Sequence, residues 1–201
     1  MLQLIELLAV ISAAVYGVLL ARRKEMDFVG MFSVAFVTAL GGGTLRDVLL
    51  DRNPLFWIQQ AHYPVLVFSL ALAATLARRW TTWQRWAERW LFLPDAFGLG
   101  LFSMVGAGYA QEANTSPFIA SLFGVITGTF GGVIGDIVCN EVPSLFRPHT
   151  TLYATCSFVG CWVYLLLDHF QLPQSVTLWS GILTIVAFRL IAVRWNLRLP
   201  G

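Results

Sequence analysis

The residues of this chain best suited to act on ions lie in two glycine-rich segments that are 89 residues apart. Each segment has consecutive glycines followed, about one helical turn later, by an aspartate. The two sets are Gly41, Gly42, Gly43, Thr44, Arg46 and Asp47, and Gly131, Gly132 and Asp136. An ionisable side chain in hydrocarbon costs at least about 2.5–3.5 kcal/mol, so it needs a polar cavity or a charged partner. The aspartates therefore either line an ion pathway or belong to a structural ion pair, for instance with Arg46.

The glycines themselves predict an interruption of two helices. A glycine in a helix interior costs about 0.5–1 kcal/mol relative to alanine, and consecutive glycines add to that cost. They favour a bend or an unwound turn, whose freed backbone groups need protein or a water-filled cavity around them. The alternative is that the glycines let two helices pack closely through small residues.

The polar groups of these segments favour cations over anions. Two aspartates and one arginine leave a net negative charge, and the carbonyl oxygens of a broken helix would add cation ligands. Thr38 and Thr127, which are also 89 residues apart, can supply neutral oxygens along the same helices. Their hydroxyls can instead bond back to carbonyls of their own helix.

Composition places these segments in a membrane. Apolar residues make up 57% of the 201-residue chain and charged residues only 12%, against about 25% charged in soluble proteins. Spanning the hydrocarbon takes roughly 17–25 apolar residues in a helix. Seven stretches qualify, the third being the shortest: residues 2–21, 28–50, 64–77, 94–110, 117–139, 150–167 and 176–193. The predicted fold class is an all-α integral membrane protein with seven transmembrane helices.

Positively charged loops predict the orientation. Lysine and arginine collect after the first, third, fifth and seventh spans, which end on one side of the membrane. These residues are Arg22, Arg23, Lys24, Arg78, Arg79, Arg85, Arg89, Arg147, Arg194 and Arg198. Because such loops stay on the cytoplasmic side, we expect the N-terminus outside and the C-terminus in the cytoplasm. The loop at 78–90 also holds four tryptophans and is predicted to lie on the membrane surface.

The 89-residue offset defines an internal repeat. It relates Gly17 to Gly106 and Pro54 to Pro143 as well. The single transmembrane domain therefore divides into a repeat at about 1–78, a second at about 94–167, and an added helix at about 176–193. Because each repeat has three spans, the second enters the membrane from the opposite side. Inverted repeats are a transport architecture, with the pathway near the midplane at their interface.

Other classes of function lack support in the sequence. The formal charge of +2 is too small to argue for nucleic acid, and no catalytic set, phosphate loop or cluster of metal ligands indicates an enzyme, a metal site or a cofactor. The three cysteines have no paired spacing and are expected to be buried free thiols. Glu6 and Asp95 are interpreted as favourable charges near helix N-termini. Tyr16, Ser103 and Tyr109 either line a pore or simply pack.

Residues 41–57 (GGGTLRDVLLDRNPLFW) and 131–143 (GGVIGDIVCNEVP) resemble the paired signatures of the prokaryotic trimeric intracellular cation channel family. Bacterial members are also known under a glycine-transporter-type domain name. The resemblance covers nearly the whole chain. It implies a homotrimer in the bacterial inner membrane whose protomers each pass potassium and, less selectively, sodium. It places the pore between the second and fifth spans, and so carries over to the glycines, Arg46, Asp47 and Asp136.

One position departs from the family pattern. Related bacterial sequences often have arginine before the second aspartate, where this chain has Gly135. This puts in doubt any mechanism that needs a basic residue in both halves. The lysine-containing motif of the animal members is absent as well, so their phosphoinositide-linked behaviour is not expected here.

Three functions remain open from the residues. The first is a passive monovalent cation channel, narrowest at the glycines, with Asp47 and Asp136 attracting cations and Arg46 pairing with one of them or limiting flux. The second is a secondary transporter of a small solute such as glycine, which predicts saturable flux and alternating access. The third is a non-conducting membrane scaffold with both aspartates sealed in ion pairs.

Overall fold

A computed structural model describes residues 1–77, 92–147 and 151–198, so the predicted surface segment at 78–90 lies outside the described residues. The described residues are helical apart from their loops and one isolated bridge between Thr151 and Arg198. The helices are α1 (Leu2–Arg23), α2 (Phe28–Leu49), α3 (Phe56–Gln59), α4 (His62–Leu76), α5 (Phe92–Glu112), α6 (Pro117–Val138), α7 (Ala154–His169) and α8 (Gln174–Arg194), with a 3-10 turn at Ser144–Phe146.

Four of these helices, α1, α2, α6 and α8, are long and apolar enough to cross a membrane. Large apolar side chains are exposed on the surface, among them Val65, Leu76 and Leu183. A water-soluble monomer rarely shows so much exposed apolar surface, whereas lipid accommodates it. The chain is therefore an all-helical membrane protein. Membrane crossing by α4, α5 and α7 stays a prediction.

The long helices coincide with the predicted spans except at α7. This helix begins at Ala154, four residues later than predicted. Residues 151–153 are held outside it, because Thr151 bridges to Arg198 and the Leu152 N–H donates to the Leu197 carbonyl at 3.0 Å. A contact with the residues that follow α8 thus overrides the local apolar pattern.

The helix ends repeat at the 89-residue offset. Asp27 caps α2 by accepting from the Gly30 N–H, and Ser116 caps α6 by accepting from the Ile119 N–H, as short polar residues do at helix starts. Four loop residues adopt positive φ at the same offset: Glu25 with Asn114, and Asp51 with Asn140. The loops around α2 and α6 therefore share their backbone conformation.

The interior is built around α5, which packs against α1, α6, α7 and α8, while α2 packs along α1 and α6. The buried core includes Ile5, Leu99, Met104, Leu178 and Ile182. The three cysteines, Cys139, Cys156 and Cys161, are buried free thiols, as the sequence predicted.

The predicted unwound turn at the glycines is wrong. Both α2 and α6 continue as α-helix through their glycines, and none of the described glycines has a positive φ. The helices stay α-helical because Gly42 and Gly131 allow close packing between them, which offsets the low helix propensity of glycine.

Candidate functional site

α2 and α6 cross at their glycines. A Cβ added at Gly42 would overlap the carbonyl of Thr127, and one added at Gly131 would overlap the carbonyl of Thr38. Gly42 therefore faces Thr127, which lies four residues before Gly131, and Gly131 faces Thr38, which lies four residues before Gly42. Only glycine lets the two backbones approach this closely.

The other predicted glycines have different surroundings. A Cβ at Gly41 would lie 2.9 Å from the Ile134 side chain, and one at Gly43 would lie 2.6 Å from the Phe56 ring. A Cβ at Gly132 would meet nothing within 4 Å. Gly132 therefore faces open space, whereas the other predicted glycines, Gly41, Gly42, Gly43 and Gly131, are packing positions.

A narrow cavity lies beside the crossing. Its volume is about 20 Å³. One water needs roughly 10–15 Å³, so the cavity has room for about one water molecule. Of the predicted site residues, Thr38, Thr127, Gly131 and Gly132 line it. Its polar lining also includes Tyr16, Asp95 and Tyr153.

The two threonines at the crossing have unusual hydroxyls. Neither Thr38 Oγ1 nor Thr127 Oγ1 has a hydrogen-bond partner among the described residues, although both are buried. They do not bond back to their own helix, as Thr44 does to the Leu40 carbonyl at 2.8 Å. Thr44 instead belongs to the packing around α3, since its oxygen also accepts from the Trp57 indole at 2.9 Å.

Arg46 is fully buried in an ion-pair cluster outside the cavity lining. Its Nη1 lies 2.9 Å from Glu6 Oε1, and its Nε donates to Asp47 Oδ1 at 2.9 Å. Tyr109 completes this arrangement, because its ring lies 4.5 Å from the guanidinium and its hydroxyl donates to Glu6 Oε2 at 3.4 Å. We call Glu6, Arg46 and Tyr109 the first triad. The side chains of Glu6 and Arg46 are 1% and 0% exposed, so both charged groups of the triad are sealed from solvent.

The interpretation of Glu6 as a helix N-terminal charge is therefore wrong. Glu6 lies beyond the first turn of α1, which has no acidic residue, and a buried carboxylate at that depth is stabilised by its guanidinium partner. The alternative of an ion pair between Arg46 and an aspartate is met by Asp47, and Glu6 is a second partner that the sequence did not indicate.

Both predicted aspartates hold the loop that follows their helix. Asp47 Oδ2 accepts from the Phe56 N–H at 2.8 Å, and Asp136 Oδ2 accepts from the Ser144 N–H at 2.7 Å. Arg52 adds a contact of 3.5 Å to Asp47 Oδ1. Both oxygens of Asp47 are thus occupied by partners within the protein.

A second charged cluster borders the cavity. Asp95 Oδ2 lies 3.5 Å from Arg189 Nη2, and Asp95 Oδ1 accepts from the Tyr153 hydroxyl at 2.7 Å. The Arg189 guanidinium lies 4.6 Å from the Tyr153 ring. We call Asp95, Arg189 and Tyr153 the second triad. Sequence reasoning did not single out Arg189, although an arginine inside an apolar span is a signal that could have found it.

Charged loops meet on the side where α1 and α6 end. Glu141 pairs with Lys24 and, at 2.7 Å, with Arg147. Hydrogen bonding and attraction from Lys24, with help from Arg147, lower the pKa of the exposed Glu141 carboxyl. Among the described residues, no group of histidine, cysteine, aspartate and glutamate could hold a metal ion.

Comparisons with known proteins bring out relatives over the whole chain. The sequence profile of a family described as "Glycine transporter" matches residues 3–79 and 92–169. A protein of Vibrio cholerae described as a UPF0126 membrane protein is 39% identical, covering 100% of this chain and 82% of the relative. The inner membrane protein YadS of Escherichia coli K12, of the same UPF0126 group, is 37% identical, covering 93% of this chain and 89% of the relative.

Two solved structures have the same fold. The trimeric intracellular cation (TRIC) channel orthologue from Rhodobacter sphaeroides superposes with a TM-score of 0.86 at 32% identity, covering 98% of both chains. A structure that addresses conductance through TRIC cation channels superposes with a TM-score of 0.87 at 30% identity, covering 99% of this chain and 96% of the other. The names of these relatives describe membrane proteins and channels, and none describes an enzyme.

Proposed function

This chain belongs to the prokaryotic trimeric intracellular cation channel family, and on that premise we propose that it is a passive channel for monovalent cations. The observation that carries the proposal is the superposition on TRIC cation channels over nearly the full length of both chains. Potassium is the proposed main ion, with sodium passing less selectively. The cell membrane of a bacterium is its proposed site of action, in line with the inner-membrane relative.

We propose that seven helices span the membrane as two inverted repeats and an added α8. The two matches to the family profile begin at residues 3 and 92, an offset of 89 residues. The helix caps and the positive-φ loop residues repeat at that offset. The reciprocal contacts of Gly42 with Thr127 and of Gly131 with Thr38 also fit a pseudo-two-fold axis through the crossing.

The proposed ion pathway passes the crossing of α2 and α6. Thr38, Thr127, Gly131 and Gly132 line the narrow cavity there, which has room for a cation that has shed part of its water. The backbones meet at Gly42 and Gly131, so a small relative movement of the two helices would widen or close the passage.

In this pathway Asp47 and Asp136 act mainly through the loops that they hold. Their hydrogen bonds to Phe56 and Ser144 fix the chain that leaves α2 and α6. Arg46 neutralises the carboxylates buried beside it, and it keeps α1 and α2 together through Glu6. The glycine contacts at Gly41 and Gly43 maintain the packing around the crossing.

We further propose a homotrimer with the N-terminus outside and the C-terminus in the cytoplasm. Lys24, Glu141 and Arg147 meet on the proposed cytoplasmic side, in keeping with the rule that positively charged loops remain there. Cross-linking of the protein in native membranes tests the trimer, and labelling of single cysteines introduced at the two termini tests the orientation.

The decisive experiment records purified protein in a planar bilayer under asymmetric potassium chloride, with glycine uptake measured in matched liposomes. Discrete current steps that reverse near the potassium equilibrium potential support the channel. Electrically silent bilayers with saturable glycine uptake would instead indicate a transporter of the kind that inverted repeats also serve. Silence in both assays would leave a membrane scaffold.

A further inference from the structure

The second repeat lacks an arginine at the position of Arg46, and the structure provides one from another helix. The residue 89 positions after Arg46 is Gly135. The counterpart of Glu6 at the same offset is Asp95, which lies 3.5 Å from Arg189 of α8. Each half therefore has a carboxylate paired with a guanidinium, and the added helix completes the second pair.

The two triads share their chemistry. In both, the guanidinium carbon lies over a tyrosine ring, 4.5 Å from the ring centroid in the first triad and 4.6 Å in the second. In both, the tyrosine hydroxyl donates to the carboxylate. The carboxylates Glu6 and Asp95 stand at matching positions of the two repeats, whereas the arginine and tyrosine that accompany each of them come from positions that do not match. The same chemistry is therefore assembled twice from different residues.

The triads differ in their access to the cavity. The charged side chains of the first triad are sealed, whereas Asp95 and Arg189 are 16% and 13% exposed. Asp95 and Tyr153 line the cavity, together with Tyr16. The ion pair is also longer in the second triad, at 3.5 Å against 2.9 Å. Asp95 is therefore the carboxylate that a mobile ion in the cavity can reach.

Arg189 has partners that do not depend on Asp95. Its Nη1 donates to Thr151 Oγ1 at 2.7 Å and to the Leu152 carbonyl at 2.9 Å. A guanidinium anchored in this way stays in place when the carboxylate turns toward another cation.

We propose that Asp95 binds the permeating monovalent cation in this cavity, in competition with Arg189. This inference rests on the proposed function, because it identifies the ion-binding group of that pathway. Carboxylate, tyrosine and backbone oxygens suit a partly dehydrated alkali cation. A divalent cation usually needs six or more oxygen ligands with several carboxylates, which this cavity does not present among its described residues.

The test measures the potassium dependence of thermal stability in purified protein, with choline chloride keeping the ionic strength constant. The variants are Asp95→Asn, Arg189→Gln and, as a matched control on the exposed surface, Glu141→Gln. Loss of a full charge a few ångströms from the ion should raise the half-saturating potassium concentration at least about tenfold in Asp95→Asn. Arg189→Gln should lower it severalfold, because the competing cation is gone, and Glu141→Gln should leave it unchanged.

Potassium flux into liposomes is measured on the same variants, and it separates this inference from the channel itself. If Asp95→Asn changes neither the flux nor the half-saturating potassium concentration, the Asp95 site is overturned and the channel is retained. Saturable potassium binding that depends on Asp95, without any flux, keeps the site and removes the channel. Should Asp95→Asn not fold, Arg189→Gln decides, since an unaltered potassium dependence in that variant contradicts the competition.

Discussion

Gly131 and Gly132 are neighbours on α6 with opposite surroundings, so alanine at each position separates packing from pathway. A Cβ at Gly131 would overlap the Thr38 carbonyl oxygen of α2 and lie 3.3 Å from the carbonyl carbon. At Gly132, which lines the cavity, the Cβ would meet nothing within 4 Å. The two substitutions have the same chemistry on the same helix, and each is the control for the other.

The structure indicates the size of the two effects. In Gly131→Ala, α2 and α6 must separate by about 1 Å to restore an ordinary carbon–oxygen contact, and such overpacking costs about 1–3 kcal/mol. Helix propensity returns about 0.5–1 kcal/mol, so we expect the free energy of unfolding to fall by about 1–2 kcal/mol. In Gly132→Ala only the propensity gain remains, and the free energy of unfolding should rise by up to about 1 kcal/mol.

Potassium flux should respond to the substitution at Gly132, although stability does not fall there. The methyl group added at Gly132 is comparable in size to a water molecule, and the volume of the cavity is only about 20 Å³. We therefore expect Gly132→Ala to reduce potassium flux severalfold while the protein keeps its stability.

Unfolding is measured by titrating sodium dodecyl sulfate into mixed micelles while following tryptophan fluorescence, and flux is measured in liposomes. Gly42→Ala should reproduce the stability loss of Gly131→Ala, because the two glycines make reciprocal contacts. Equal stability of the alanine variants at 131 and 132 would refute the close crossing. Full flux through a stable Gly132→Ala protein would refute the assignment of this cavity to the pathway.

Two further predictions concern charged groups. Arg46→Gln leaves Glu6 and Asp47 buried without their main partner, so it should lower the free energy of unfolding by about 3–5 kcal/mol. As a control, Arg52→Gln changes a side chain that is 38% exposed and should lower the free energy of unfolding by under about 1 kcal/mol. Equal losses in the unfolding titration would contradict the argument from burial. The lowered pKa of Glu141 stabilises the folded state above the ordinary pKa of 4.5, and this contribution disappears as the pH falls through the lowered value. The difference in melting temperature between wild type and Glu141→Gln should therefore be present at pH 7, vanish in acid and shrink with added salt, and a difference independent of pH would exclude the ion pairs as its cause.

The sequence was most informative where the solvent decides the structure. Helix positions could be predicted because hydrocarbon selects long apolar stretches regardless of their neighbours in space. The start of α7 was the exception, since Thr151 and Leu152 are held by residues that follow α8, more than 40 positions away. The family could be predicted as well, because its signatures are contiguous in the chain.

The glycines show why local energetics misled. Helix propensity describes only the free-energy cost of a glycine to its own helix, and that cost alone predicts an unwound turn. The contacts of Gly42 and Gly131 with the opposite helix stabilise the regular conformation instead. Those contacts exist only once α2 and α6 cross, so the sequence of either segment alone could not predict their stabilising effect.

By itself, the sequence determined the membrane setting, the helix positions, the family and the 89-residue offset, because each depends on composition or on residues close together in the chain. Only the tertiary structure decided which charges meet. It joined Glu6 to Arg46 across 40 residues and Asp95 to Arg189 across 94 residues. It left Asp95 beside the cavity while sealing Asp47. The physical reason is that the free energy of a buried charge depends on its partners and its access to water, and both are properties of the packed molecule.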